Sequence, residues 1–258
     1  MQVAEAELVA MANRSLVGSF GKLAEHSADG GVHKFGAVVG FVTGVPIPLF
    51  NGCLILQPVA AADIDAAVTW INRYDLPYQV WMSEKVTSGL SDVAAARGLE
   101  KDRWSLPGMV LCAPWGSPPA PPGIGVSAVD DGAALDTWLG VMTEVGMPRE
   151  MAEGLFPPSF AADPDVMLFT AYLDGRPVGT SIAIRTGDVS GVYAVITLPG
   201  ARRRGVGTAA AWAAVNAARE WGCDFVALQA TEMGLSSYER MGFATVVRYA
   251  IFERRLAT

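Results

Sequence analysis

Residues 195–208, VITLPGARRRGVGT, constrain this chain more than any other stretch. An apolar, strand-forming run stops at Pro199. Arg202, Arg203 and Arg204 follow, and Gly205-Val206-Gly207 opens an alanine-rich segment that reads as a helix over 208–221, stopped at Gly222. The fold must therefore set a strand end beside a helix start. A glycine pair lowers helix propensity where it stands. What it supplies instead is close backbone approach, with successive N–H groups turned outward at the positive end of a helix dipole. Arginines beside it add charge-assisted contacts to phosphate oxygens. The combination suits a pyrophosphate. It lacks the GxGxxG spacing of a dinucleotide fold and the Lys-Ser/Thr pair of a P-loop. The bland reading is a solvated, arginine-rich turn.

The surrounding pattern is mixed α and β. Short strands are expected at 125–129, 166–173, 177–184, 189–197, 225–229 and 245–254, with a hairpin turn at Asp174-Gly175. Helices are expected at 131–144, capped by Asp130 or Asp131, and at 148–156 and 235–241. Residues 113–125, APWGSPPAPPGIG, can join neither a helix nor a central strand and read as a linker. Before it, 63–74 resembles the alanine-rich helix and 78–82 the strand after that helix. Gly89-Leu90-Ser91 and Arg97-Gly98-Leu99 echo Gly234-Leu235-Ser236 and Met241-Gly242-Phe243. Such self-similarity points to duplication. The expected division is 1–115, a linker at 116–123, and 124–258.

A net charge of -7 disfavours nucleic acid, whose phosphates call for a cationic face. The chain starts with acidic rather than basic residues and without a continuous apolar run, so it reads as cytoplasmic, with neither signal peptide nor membrane segment. Cys53, Cys112 and Cys223 are too far apart for a CxxC pair and read as buried thiols. With His26 and His33 as the only histidines, no metal site is expected. The apolar, proline-interrupted stretch 45–52 reads as a buried loop, a contact between halves or a pocket wall.

Two elements together resemble the GNAT superfamily of N-acetyltransferases. The family's Arg/Gln-x-x-Gly-x-Gly/Ala loop stands here as Arg202-Arg203-Arg204-Gly205-Val206-Gly207, and its YxxxGF element as Tyr238-Glu239-Arg240-Met241-Gly242-Phe243. The resemblance covers the second half well and the first half faintly. It implies two tandem α/β (mixed α+β) domains, each a mostly antiparallel twisted sheet flanked by helices. The N-terminal copy is degenerate: residues 54–65 carry neither arginine nor a glycine pair, and the counterpart of Tyr238 falls near Val93 or Ala94.

Carried over residue by residue, the resemblance implies acetyl-CoA (coenzyme A) as the acyl donor. Arg202, Arg203, Arg204, Gly205, Val206, Gly207 and Thr208 would hold its pyrophosphate, and Val195, Ile196 and Thr197 its pantetheine arm. Tyr238 would be the general acid, its phenol of pKa ~10 facing a thiolate of pKa ~8.5. Glu232 is a candidate base, with Glu144, Glu153, Tyr172 and a water relay as alternatives. Gln229 cannot act as one. The implied reaction is acetyl transfer to a primary amine of a small molecule or peptide. A non-catalytic acyl-CoA sensor is the alternative, and a homodimer stays open.

Overall fold

The computed structural model describes residues 3–87 and 91–254. The chain opens with α1 (Glu5–His26), whose buried residues Met11, Ala12, Ser15, Leu16, Ser19, Phe20, Leu23 and Ala24 recur at helical spacing and form one stripe. Then come β1 (Gly31–Phe35), β2 (Val38–Val42), β3 (Asn51–Ile55), α2 (Ala61–Asn72), β4 (Tyr78–Ser83), α3 (Glu84–Thr87), α4 (Ser91–Ala95) and β5 (Glu100–Cys112). After the proline-rich crossing the order is β6 (Ile124–Ala128), α5 (Gly132–Glu144), α6 (Arg149–Leu155), α7 (Pro158–Ala161), β7 (Val166–Leu173), β8 (Arg176–Thr186) and β9 (Val189–Thr197). It closes with α8 (Val206–Glu220), β10 (Phe225–Gln229), α9 (Glu232–Arg240) and β11 (Ala244–Arg254). Of the repeated pieces, Gly89 and Leu90 lie outside the described residues. Among the described residues no helix is long and apolar enough to cross a membrane.

Among the described residues all strands join one 11-stranded sheet in the order β1-β2-β3-β4-β11-β5-β10-β9-β8-β7-β6. The linker therefore divides the chain but not the sheet. β11 lies between β4 and β5, and β5 lies between β11 and β10, so each half's last strand fills a slot in the other half's sheet. From one end the strands run in chain order from β1 to β4, and from the other from β6 to β10, each run meeting the other half's last strand. Strand exchange of this kind leaves no local mark in a sequence, because the pairing partners are far apart along the chain.

One face of the sheet carries α1 and the α5–α7 group over a core that includes Phe20, Phe41, Trp81, Trp138, Phe156, Phe160 and Tyr249. Phe20 and Phe41 stack at 4.3 Å, tying α1 to β2. The other face carries α8 and α9 over Met109, Leu111, Trp212, Val226 and Phe243. α2 and α4 lie over Ile55, Val80, Met82 and Phe252. Residues 45–52 form a turn that is buried only at its ends, Val45 and Asn51-Gly52, while Pro46 and Leu49 are exposed, so the expected buried loop is only partly realised. The Asn51 amide donates to the carbonyls of Val45 (2.7 Å) and Ile47 (3.2 Å) and accepts from the Thr43 N–H at 3.0 Å. Cys53 and Cys223 are buried as expected. Cys112, the last residue of β5, is only half-buried, because the sheet ends there.

Candidate active site

Beside β9 the sheet opens. β9 and β10 run parallel, but they pair only at Val189/Phe225, Ser190/Val226 and Gly191/Ala227. Beyond Gly191, β9 stays with β8 on its other side, while β10 stays with β5. Ala194, at φ +47°, interrupts the β8–β9 register between Tyr193 and Ile196, and Thr180 Oγ1 donates to its carbonyl at 2.8 Å. A bulge of this kind bends its strand, and here it directs β9 away from β10. Val195, Ile196 and Thr197 thus lie on the open edge of a fork, half-buried.

From the fork the chain passes a 3-10 turn at Pro199–Ala201 and enters the arginine loop. Arg203 has φ +59° and Gly205 φ +92°. Residues that alternate between right- and left-handed conformations aim successive amides at one point, the nest that holds anions. Gly205 is the N-cap of α8 and gives it no side-chain cap, so the N–H groups of Val206, Gly207 and Thr208 have no acceptor within the helix. A Cβ at Gly205 would lie 2.9 Å from Pro121 Cγ, so the linker fixes this turn from outside and any larger residue is strained twice over. The helix begins two residues before the expected 208 because glycine makes that left-handed turn at little cost. Arg202 Nε donates to the Thr197 carbonyl at 3.1 Å, bracing the loop against the strand end. All three arginines are exposed, and Arg204 pairs loosely with Asp174 at 3.5 Å. A pair so open to water contributes little and leaves Arg204 free to turn to a phosphate.

Tyr238 lies on α9, its ring half-buried on the core beneath α8 and edge-on to Phe243 at 5.9 Å. Burial pushes its phenol up to about 12. The sequence-based match to a thiolate is thus looser: the proton is held more tightly than in a free phenol, and its transfer is more uphill. Glu232 stands in the first turn of α9 and not before the helix, because Thr231 caps it, accepting from the Gly234 N–H at 3.3 Å. Six residues from Tyr238, Glu232 lies on a different helix face and is exposed. Glu144 and Glu153 are held in surface pairs with Arg176 (2.5 Å) and Arg149 (2.7 Å).

The structure also brings to the fork residues that sequence patterns did not single out. Tyr193, two positions past the last β9–β10 pair, shares a hydrogen bond of 2.9 Å with Ser15 of α1. Tyr249 of β11 donates to Asn13 of α1 at 2.8 Å. These contacts join residues 178 and 236 positions apart, so no local signal announces them. A cavity of about 480 Å³ lies against the arginine loop, between Leu173, Val178, Leu198 and Arg204.

Residues 134–243 match the family described as Acetyltransferase (GNAT) family. No curated protein matches the sequence. Among solved structures, a GCN5-related N-acetyltransferase from Kribbella flavida is similar over 96% of this chain and 96% of its own, at 20% identity and a TM-score of 0.71. One from Sphaerobacter thermophilus is similar over 84% and 80%, at 16% identity and 0.63. A tandem GNAT protein from the clavulanic acid biosynthesis pathway is similar over 86% and 79%, at 14% identity and 0.59. At these identities the likeness is one of fold.

Proposed function

We propose that the GNAT domain of residues 134–243 transfers an acetyl group from acetyl-CoA to a primary amine. The observation that carries this reading is the fork beyond Gly191 leading through the arginine turn to the uncapped amides of Val206, Gly207 and Thr208. Arg202, Arg203 and Arg204 with the amides of Gly205, Val206, Gly207 and Thr208 hold the pyrophosphate. Val195, Ile196 and Thr197 offer an open strand edge to the pantetheine amides, and a β9 N–H polarises the thioester carbonyl. The amine nitrogen bonds to the carbonyl carbon, the C–S bond breaks, and Tyr238 gives its proton to the departing sulfur. Water, or Glu232, which is exposed at the start of α9, takes the proton that the amine loses.

The division into 1–115, 116–123 and 124–258 belongs to the same reading. The mirrored sheet order supports two copies, the first without a cofactor loop. A second reading, an acyl-CoA-binding regulatory protein, draws support from the raised Tyr238 phenol. Release of free coenzyme A from acetyl-CoA, assayed with a panel of amines, separates the two. Turnover that falls in Tyr238→Phe while coenzyme A binding holds supports the enzyme. Binding without turnover supports the sensor.

A further inference from the structure

On the face of the sheet that carries α1, the fork is lined by uncharged groups that keep their protons. Ser15 sits directly over the point where β9 and β10 part: a Cβ at Gly191 would meet Ser15 Oγ at 2.5 Å and the Tyr193 ring at 2.1 Å. The Tyr193 hydroxyl is bonded to Ser15 and faced by Ser19 and Gln229. Ser19 Oγ and Gln229 Nε2 fall short of bonding geometry, and both are buried without a hydrogen-bond partner. A buried polar atom left in that state keeps the full cost of its lost hydration, so each is set to bond an incoming polar group. Helix α1 is a fixed wall here. Leu16, Phe20 and Leu23 are buried beneath it and hold it to the core by the apolar surface they remove from water.

The charged groups on the elements around this cluster are engaged or turned to water. Arg14 pairs with Asp188, Lys22 with Asp163 and Asp165, and Arg185 with Asp165. Arg248 on β11 and Glu232 and Glu239 on α9 are exposed. Burial is the leading cause that raises the phenols of Tyr193 and Tyr249, and no carboxylate or cation contributes. A site that disfavours phenolate for lack of water disfavours ammonium for the same reason.

We propose that the fork takes its acceptor as the uncharged amine, held by Ser15, Ser19, Tyr193 and Gln229, so that the substrates are weakly basic amines such as peptide α-amines or aryl amines, and not lysine-like alkyl amines. The inference rests on the acetyl-transfer reading, and its test has an arm that does not.

With acetyl-CoA at pH 7, triglycine amide should release coenzyme A about 300-fold faster per mole than Nα-acetyl-lysine amide, the ratio of their free-base fractions. Each rate should rise tenfold per pH unit up to the amine's own pKa. An equal or reversed preference, or a shared inflection near pH 6–7, overturns the proposal. Independently of turnover, calorimetry of triglycine amide binding to the coenzyme A-loaded protein at pH 7, in phosphate and in Tris, should show about 0.9 proton released per amine bound, the protonated share of a free α-amine at that pH. Binding without proton release, or no binding, overturns it. Gln229→Glu places a carboxylate at the fork and should reduce that release. Proton release with no acetylation of either probe would sink the acetyl-transfer reading and leave this inference standing.

Discussion

The two halves contain one parallel strand pair each, and the pairs end differently. In the first half β3 and β4 are zipped at Gly52/Gln79, Cys53/Val80, Leu54/Trp81 and Ile55/Met82, to the end of β3. The chain then reaches α2 through residues 56–60, LQPVA, with no cation and no glycine. In the second half β9 runs six residues past its last pair with β10, bulges at Ala194 and enters the arginine loop at φ values only a glycine-bearing turn holds easily. The same order of strand, helix and strand thus yields a closed sheet in one place and a fork with an amide nest in the other. The site comes from local departures from regular structure, and not from the fold itself.

The largest effect is expected where the nest is spoiled. Gly205→Asp puts bulk against Pro121 and a negative charge where we propose the pyrophosphate binds, and should weaken coenzyme A binding by roughly a hundredfold or more, about 3 kcal/mol. Unchanged affinity in a folded variant would show that the nest is not the site. Next, Tyr238→Phe should lower kcat by about a hundredfold with little change in coenzyme A affinity, since the lost contact acts only as the thiolate leaves. Equal losses in both would remove its role as acid.

A smaller effect concerns the ion cluster that holds α1 to the second half. Burial alone would raise the Asp163 carboxyl, but hydrogen bonds from Lys22 at 2.7 Å, from His26 and from the Asp165 amide outweigh it and hold the group at about 2. A carboxyl with a lowered pKa adds stability that is present above its unfolded value near 4 and lost as pH falls towards 2. Thermal melts should show that acid limb in the parent protein and a flatter one in Asp163→Asn, at a cost of about 2 kcal/mol near neutrality. The same slope in both would contradict the assignment.

The smallest effect belongs to the closed half. Gln57→Ala, in the segment that answers to the arginine loop, should leave coenzyme A affinity within about twofold, near the scatter of surface substitutions. A large loss there would mean that the first half also binds the cofactor.

How much of this was legible in the sequence follows the range of the interactions. The strands at Val166–Leu173, Val189–Thr197 and Phe225–Gln229 are fixed by short apolar runs between turn residues, and they stand where expected. The loop at 202–208 was visible because arginine and glycine are unusual at a helix start. The fork was not, since it depends on a single alanine at φ +47° and on where β10 finds its partner. Ser15 and Ser19 sit in the buried stripe of α1, where local pattern gives no reason to prefer them to alanine. Only the distant Tyr193 explains Ser15. The rise in the Tyr238 phenol was hidden for the same reason, because burial is a property of the assembled core.

The most direct measurement is a calorimetric titration of the whole chain with coenzyme A, alongside Gly205→Asp. An asymmetric molecule with one fork and one nest should bind one coenzyme A per chain and lose that binding in the variant. Two per chain, none, or one that survives the substitution would contradict it.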